Sequence, residues 1–216
     1  MNICFISQNG HSGKLPRNFV NCRTEFAWQI ALNADHYNFQ EWFLSNKNKI
    51  EYKNKNVFVE KINLKNYEIV YNKLYKLISQ FEIIEGFNII LCGSQLGEPN
   101  KDSINLNLED ISKTFNCNLI GNIAIIKAVS QFLTLLSVLR VVFFAGGGAA
   151  YAYPNFFSYS LSKVATVRAV ENLSILLKNI TNNTSIIALA PGAVETDMLK
   201  LVIKNGGYVK TKTDIS

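Results

Sequence analysis

Short apolar runs and longer stretches of helical periodicity take turns along this chain. Residues 89–91, 141–144 and 185–189 are apolar at nearly every position, a pattern typical of strands that are buried on both faces of a sheet. Shorter runs at residues 3–7 and 57–59 predict two further strands. The segments between these runs are long enough to cross from one parallel strand to the next.

Three of the intervening segments carry apolar residues at helical spacing. The first spans residues 67–81. The second spans residues 108–137, with Asn107 as its predicted N-cap, and the third spans residues 158–178, with Ser158 as its predicted N-cap. Strands that alternate with helices in this way predict an α/β fold, in which helices cover both faces of a parallel sheet.

Small residues cluster in the turns that follow the predicted strands. Four such turns, at residues 8–13, 92–97, 145–148 and 191–196, bring small residues to strand ends. Ligands of parallel α/β sheets bind beyond the carboxyl ends of the strands. The pattern therefore predicts a nucleotide-like ligand, held by a single domain over residues 1–216 in which no internal repeat is apparent.

Composition narrows the class of protein without identifying it. Of the 216 residues, 48% are hydrophobic and 18% are charged, which is typical of a globular domain. The net charge is +6, and many of the lysines lie in residues 47–65; we interpret this stretch as a solvated face rather than a nucleic-acid site, because few aromatic residues accompany it. The apolar stretch 119–152 is interrupted by Lys127, Gln131 and Arg140, so no membrane span is predicted.

The four cysteines, Cys4, Cys22, Cys92 and Cys117, include no Cys-x-x-Cys pair. The amino terminus shows no signal peptide, because the charged Lys14 follows a very short apolar stretch. These two observations predict reduced thiols and a cytoplasmic protein. No spacing of histidine, cysteine and aspartate residues fits a metal site.

Tyr159 and Lys163 are the pair of residues that points most directly to chemistry. They are four positions apart at the start of a predicted helix and therefore share a face. A lysine ammonium beside a phenol favours the phenolate, and such a phenol can exchange a proton with a carbonyl or hydroxyl group. Taken alone, the pair is better explained as an ordinary tyrosine and an ordinary surface lysine, because the Tyr-x-x-x-Lys spacing is common by chance.

Three motifs occur in order along the chain and at matching spacing. The segments are Asn118-Leu-Ile-Gly121, Tyr159-Ser-Leu-Ser-Lys163 and Pro191-Gly-Ala-Val-Glu-Thr196. They resemble the Asn-x-x-Gly, Tyr-x-x-x-Lys and Pro-Gly-x-x-x-Thr motifs of the short-chain dehydrogenase/reductase family. The resemblance covers residues 56–210, leaves residues 1–55 as a divergent amino-terminal part, and implies a Rossmann-type, doubly wound parallel sheet.

The resemblance implies a role for each matched residue. Tyr159 would act as the acid/base, Lys163 would support it and hold the nicotinamide ribose, and Asn118 would anchor a water molecule of the proton relay. The implied cofactor is NAD or NADP, with nothing that distinguishes the two. The residues implied in cofactor binding are Gly10, Gly13, Asn63, Gly93, Tyr159, Lys163, Pro191, Gly192, Val194 and Thr196.

The chain departs from the family pattern where a serine is expected. That serine, thirteen residues before the tyrosine, holds the substrate oxygen, but position 146 is glycine here. We predict that the substrate lies against Gly146, Gly147 and Tyr153. Backbone amides of the turn, or the hydroxyl of Tyr151, Tyr153 or Ser158, would supply the missing contact. A Gly146→Ser change would restore the serine hydroxyl only if the local backbone suits a serine.

Both ends of the chain depart from the pattern as well. The family's first glycine-rich turn survives only as a faint similarity around Gly10 and Gly13. Family members continue beyond the position of Ser216 through a seventh strand, so the resemblance implies truncation at the carboxyl end. Two functions stay open: an NAD(P)-dependent oxidoreductase acting on an alcohol or carbonyl, and a catalytically impaired binding or scaffold protein of the same fold.

A small-molecule substrate and a second copy of the chain are the predicted partners, whereas nucleic acid and membrane are not. The predicted helices 108–137 and 158–178 are more apolar than one sheet face requires, for example at Ile126, Val129 and Phe132. The same two helices are implied by the family resemblance. We therefore predict a homodimer or homotetramer formed through them.

Overall fold

Parallel strands form one sheet in the computed structural model of the chain, which describes residues 2–7, 40–45, 57–79, 87–100, 105–136, 138–193 and 197–205. The strands are β1 (Asn2–Ser7), β2 (Gln40–Ser45), β3 (Val57–Lys61), β4 (Phe87–Leu91), β5 (Leu139–Phe144) and β6 (Thr184–Leu189). Their order across the sheet is β3-β2-β1-β4-β5-β6. The chain order reverses between β1 and β4, which is where sheets of this kind bind ligands. The predicted Rossmann-type, doubly wound sheet is confirmed.

Strand β2 is an addition to the predicted elements. It pairs with β1 from Asn2 opposite Gln40 to Ser7 opposite Ser45. The sequence gives only a weak signal for it, because its apolar run, from Trp42 to Leu44, is three residues long. Its pairing with β1 brings together segments that are far apart in the chain, and local periodicity does not report such pairing.

The carboxyl ends of the central strands lie level with one another. Leu91 of β4 is opposite Ile6 of β1 on one side and Phe143 of β5 on the other. Phe144 of β5 is opposite Leu189 of β6. The turns that follow β4, β5 and β6 therefore lie at the same end of the sheet, where β1 also ends.

The described helices are α1 (Tyr67–Ile78), α2 (Leu108–Phe115), α3 (Gly121–Ser130), α4 (Phe157–Lys178) and α5 (Asp197–Lys204). A π-helical segment, Asn116–Ile120, joins α2 to α3 without a break. Among the residues that the structure describes, no helix is both long enough and apolar enough to cross a membrane.

The predicted helix 108–137 begins as expected and ends early. The Asn107 side chain accepts hydrogen bonds from the backbone N–H groups of Glu109 and Asp110, both at 3.1 Å, which confirms the predicted N-cap. The helix ends at Ser130, seven residues before the predicted end. A turn and a short 3-10 helix follow, in which Leu133 and Leu136 are buried. The apolar residues that made the predicted helix too long therefore pack into the core from non-α-helical backbone.

The start of α4 and the end of α1 also differ from the sequence-based prediction. Helix α4 starts at Phe157, after a 3-10 turn at Pro154–Phe156, and no side chain caps it. The prediction of Ser158 as an N-cap is wrong, because its hydroxyl donates to the carboxylate of Asp110 at 2.7 Å. Helix α1 ends at Ile78, three residues before its predicted end.

Two hydrophobic clusters organise the described part of the chain. The larger one fills the space between the sheet and helices α1, α3 and α4. Ile126 and Val129 are each 1% exposed in this core, and Phe132 packs against it, so the argument that they face a second copy is wrong. The smaller cluster is formed by Leu96, Phe156, Tyr159 and Val202, with Tyr153 and Met198 packed at its side.

Candidate active site

Tyr159 and Lys163 lie together on one face of α4, as their spacing predicts. Tyr159 is 5% exposed and Lys163 is 2% exposed. The Lys163 ammonium lies 5.5 Å from the centre of the Tyr159 ring. It also donates a hydrogen bond of 2.7 Å to the backbone carbonyl of Phe144, the last residue of β5. A buried positive charge is thus held beside the phenol by the end of a central strand.

The hydroxyl of Tyr159 lies against the glycine turn that follows β5. Gly146 has φ of 74° and ψ of 177°, a backbone conformation that side-chain-bearing residues rarely adopt. A Cβ atom built on Gly146 would lie 2.7 Å from the Tyr159 hydroxyl, and one on Gly148 would lie 2.9 Å from the Tyr159 ring. The turn therefore lacks side chains where the tyrosine needs the space.

Tyr153 is a second tyrosine at the same turn. Its ring is stacked on that of Tyr159, with 6.5 Å between the ring centres and 25° between the ring planes. A Cβ atom built on Gly147 would lie 2.7 Å from the Tyr153 hydroxyl. The two predicted substrate glycines, Gly146 and Gly147, thus each face one phenol.

Asn118 lies in the π-helical segment, and both polar atoms of its side chain form hydrogen bonds. Its Oδ1 atom accepts from the Gln95 backbone N–H at 2.8 Å, and its Nδ2 atom donates to the Gln95 carbonyl and to the Ser162 hydroxyl, each at 2.9 Å. Ser162 in turn donates to the Tyr159 carbonyl at 2.7 Å. Asn118 therefore links the turn after β4 to the helix that carries Tyr159 and Lys163.

The backbone carbonyl of Asn118 has a partner that sequence reasoning missed. Asn122 Nδ2 donates to this carbonyl at 2.9 Å and lies 3.4 Å from the carbonyl of Gly93. Asn122 is buried, and its Oδ1 atom has no hydrogen-bond partner among the residues that the structure describes. The signal was present in the sequence, because Asn122 is a polar residue four positions after Asn118 in the otherwise apolar stretch 119–126. A water held by Asn118 would have to share this carbonyl with Asn122.

Ser158 and Asp110 connect the start of α4 to α2. Besides accepting from Ser158, the Asp110 carboxylate accepts a hydrogen bond of 3.0 Å from the backbone N–H of Glu98. Gly97 passes close to this carboxylate at φ of 75°. Asp110 thus fixes both the turn after β4 and the residue that precedes Tyr159.

The residues predicted to bind a cofactor are only partly placed by the structure. Gly93 is buried at the end of β4, and Pro191 and Gly192 are exposed at the end of β6. The Asn63 side chain, after β3, accepts a hydrogen bond of 3.1 Å from the Lys65 backbone N–H. Strand β3 is at one side of the sheet and β6 is at the other. Gly10, Gly13, Val194 and Thr196 lie outside the described residues.

A cleft of about 540 Å³ lies next to the tyrosines but is not lined by them. It is bounded by the turn of residues 95–98, by Asp110 and Lys113 of α2, and by Met198 and Leu201 of α5. Helix α5 closes over Tyr159 through Val202 and Met198. The Asn155 side chain donates to the Asn205 carbonyl at 2.8 Å and so ties the segment before α4 to the residue just after α5.

The comparison with solved structures finds the same fold in proteins of low sequence identity. A short chain dehydrogenase family protein from Francisella tularensis subsp. tularensis SCHU S4 has a TM-score of 0.67 at 21% identity, over 95% of this chain and 74% of that one. A 3-oxoacyl-[acyl-carrier protein] reductase from Brucella melitensis, in complex with NAD, has a TM-score of 0.68 at 15% identity, over 94% and 78%. ElxO with NADP bound has a TM-score of 0.68 at 16% identity, over 95% and 79%.

Sequence comparison gives a family and no individual relative. No curated protein matches the chain. A family model described as short chain dehydrogenase matches residues 45–206, well over half of the chain. The match contains Asn118, Tyr159, Lys163 and Pro191, the residues on which the resemblance was based, and the resemblance is confirmed. The chain belongs to the short-chain dehydrogenase family.

Proposed function

We propose that the chain is an NAD(P)-dependent oxidoreductase that transfers a hydride between the nicotinamide and an alcohol or carbonyl substrate. The observation that carries the proposal is the buried Lys163 ammonium, held 5.5 Å from the Tyr159 ring centre by the Phe144 carbonyl. In this proposal the Lys163 charge stabilises the phenolate that forms when the Tyr159 proton moves to the substrate.

The described residues fit a dinucleotide. The sheet changes direction between β1 and β4, and Gly93 follows β4 at that point. Among the described residues, none has an atom within 4 Å of where a Cβ atom of Gly192 would be, which leaves room for a ligand at this backbone position after β6. NAD and NADP are both compatible with these features. When bound, the nicotinamide donates or accepts the hydride.

Tyr159 is the general acid and base in this proposal. It donates a proton to the substrate oxygen during carbonyl reduction and accepts one during alcohol oxidation. The Lys163 charge stabilises the phenolate at the moment when the proton is on the substrate. Asn118 and Ser162 hold the backbone of Tyr159 in place, and they do so without contacting the substrate.

Access to Tyr159 requires a movement of α5. Tyr159 is 5% exposed, and Val202 of α5 packs in the same cluster. Gly192, at φ of 80°, lies between β6 and α5. Segments that admit a substrate commonly move about a few such positions. We therefore place substrate entry between α5 and the glycine turn.

A catalytically impaired binding or scaffold protein is the second candidate. The observation that favours it is Gly146, whose positive φ excludes the serine that the family pattern calls for. A buried Tyr159 is compatible with this candidate too. Cofactor binding and turnover separate the two functions.

The test is a nicotinamide-fluorescence titration together with turnover assays of the wild type and Tyr159→Phe. The change removes one hydroxyl and leaves the ring in its cluster. We expect NADH or NADPH to bind both proteins with similar affinity, and turnover of a panel of carbonyls and alcohols to fall about 10²- to 10⁴-fold in the variant. Equal turnover rates in the two proteins, or no turnover in either, would contradict proton transfer by Tyr159. If neither NADH nor NADPH binds, the scaffold function is favoured.

The proposed oligomer involves α2, the π-helical segment and α4. Apolar side chains are exposed on them, namely Leu108, Ile120, Leu161 and Val164. These residues replace Ile126 and Val129 as the reason to expect a second copy. We propose a homodimer or homotetramer in which this surface is buried.

The proposed cellular setting is the cytoplasm. Cys92 and Cys117 are free thiols and both are buried. Burial raises the pKa of Cys117 to about 12, so this thiol is unreactive at neutral pH. Buried, reduced cysteines suit a reducing compartment.

A further inference from the structure

A carbonyl oxygen that receives a proton gains from a second hydrogen-bond donor. The oxygen has two lone pairs, and donors aimed at it stabilise the charge that develops there during reduction. Tyr159 supplies one donor in the proposed function. The residue at 146, next to the Tyr159 hydroxyl, is a glycine and supplies no side-chain donor.

Several polar groups in the turn after β5 and at the start of α4 already have partners. The Ser158 hydroxyl donates to Asp110, and the Ser160 hydroxyl donates to the Gly148 carbonyl at 3.0 Å. The backbone N–H groups of Ala149 and Ala150 donate to the carbonyls of Gly146 and Gly147. These groups hold the turn in shape and are therefore not available to a substrate.

Tyr153 is placed differently from these groups. It is partly exposed, and its hydroxyl forms no hydrogen bond within the part of the chain that the structure describes. The hydroxyl lies against Gly147, next in sequence to the glycine that faces the Tyr159 hydroxyl. Tyr151, by contrast, is 47% exposed.

The protonation state of Tyr153 suits a hydrogen-bond donor. Burial, and then the neighbouring phenols of Tyr159 and Tyr151, raise the pKa of Tyr153 above its ordinary value. Tyr153 therefore remains a neutral phenol at neutral pH. A neutral phenol donates a hydrogen bond, whereas a phenolate would repel the developing negative charge on the substrate oxygen.

We propose that Tyr153 is a second catalytic residue, whose phenol donates a hydrogen bond to the substrate oxygen while Tyr159 exchanges the proton. The two stacked tyrosines and the glycine turn then form one carbonyl-binding site. Tyr153 keeps its own proton throughout, so the balance of the hydride transfer is unchanged. This proposal rests on the proposed function and names the second donor of the same site.

Tyr153→Phe tests the proposal, because it keeps the stacked ring and removes only the hydroxyl. We expect kcat to fall about 10²-fold, by analogy with the loss of one oxyanion donor, while the dissociation constant for NADH or NADPH and the midpoint of thermal unfolding stay as in the wild type. The control is Tyr151→Phe, which removes a more exposed hydroxyl two residues away and should leave kcat unchanged. A kcat in Tyr153→Phe equal to that of the wild type would overturn the proposal.

A binding measurement decides the question even where turnover is absent. Isobutyramide offers a carbonyl oxygen that accepts a hydrogen bond without accepting a hydride, and its binding to the complex with reduced cofactor can be followed by nicotinamide fluorescence. We expect Tyr153→Phe to weaken isobutyramide about tenfold, the equivalent of one modest hydrogen bond, and Tyr151→Phe to leave it unchanged. Equal binding in the wild type and Tyr153→Phe, or no binding to the wild type, counts against Tyr153. Failure of the cofactor itself to bind refutes the proposed function instead.

Discussion

Gly146 shows how one residue constrains its surroundings. Its φ of 74° and ψ of 177° belong to a region that is essentially reserved for glycine, and the Tyr159 hydroxyl occupies the space that a side chain would need. Adding the serine hydroxyl that the family pattern expects therefore strains the backbone and displaces the tyrosine. The condition under which Gly146→Ser would restore the serine hydroxyl, a local backbone that suits a serine, is not met.

The residue-scale prediction concerns Gly146→Ala and its control, Gly192→Ala. Both positions have positive φ, but a Cβ on Gly192 has no neighbour within 4 Å in the part of the chain that the structure describes, whereas a Cβ on Gly146 meets the Tyr159 hydroxyl. We expect each change to lower the free energy of unfolding by about 1–3 kcal/mol through backbone strain, with a larger loss for Gly146→Ala. Chemical denaturation measures both losses.

A double-mutant cycle identifies the cause of the difference. In the Tyr159→Phe background the hydroxyl is gone, so the extra loss at Gly146 should shrink, while the loss at Gly192 should not change. If Gly146→Ala costs the same in both backgrounds, the close contact with the Tyr159 hydroxyl is not what constrains the turn.

The π-helical segment Asn116–Ile120 is an element for which the sequence pattern contains no signal. A Cβ atom built on Gly121, directly after the segment, would overlap the backbone carbonyl of Leu64. The helix therefore approaches the connection after β3 as closely as backbone atoms allow. This approach places the π-helical segment, and with it Asn118, within reach of Gln95 and Ser162.

Gly121→Ala is the element-scale prediction. In an ordinary helix the change would stabilise the protein by up to about 1 kcal/mol. Here we expect it to destabilise the protein by about 1–3 kcal/mol, because the helix must move away from Leu64. Thermal and chemical unfolding report the sign. A stabilising effect would show that the helix can separate from Leu64 without loss.

The elements also show how far the sequence could lead. The strands β4 to β6 and the carboxyl end of α4 followed from apolar periodicity. Tyr159 and Lys163 were noticed as a pair four positions apart, and their roles and that of Asn118 were implied by the family resemblance. The helix end at Ser130, the partner of Ser158 and the strand β2 did not follow from periodicity. Each of these depends on a contact with a distant segment, such as Asp110 for Ser158, and periodicity reports only which face of an element is apolar.

For the whole molecule, the exposed apolar surface is the feature with the widest consequence. Leu108 is 75% exposed and Val164 is 51% exposed, and together with Ile120 and Leu161 they form the apolar surface that we propose a second copy covers. We expect light scattering to give the mass of a dimer or tetramer for the wild type, and that of a monomer for Val164→Glu. Ile69→Glu is the matched control, since Ile69 is 55% exposed on α1, outside the proposed interface. A monomeric wild type, or equal masses for all three, would rule the surface out.

The three glycines after β5 also govern the order in which this site can change by mutation. Gly146 and Gly148 each abut Tyr159, and Gly147 abuts Tyr153, so a side chain gained at any of them collides with a tyrosine that is still present. A larger residue in the turn becomes tolerable only after the tyrosine that faces it has been replaced by a smaller residue. Each glycine is therefore epistatic with the tyrosine that it faces. Laboratory evolution that randomises the turn alone should return glycine. Libraries that vary Tyr153 together with Gly147 open the path to a different second donor.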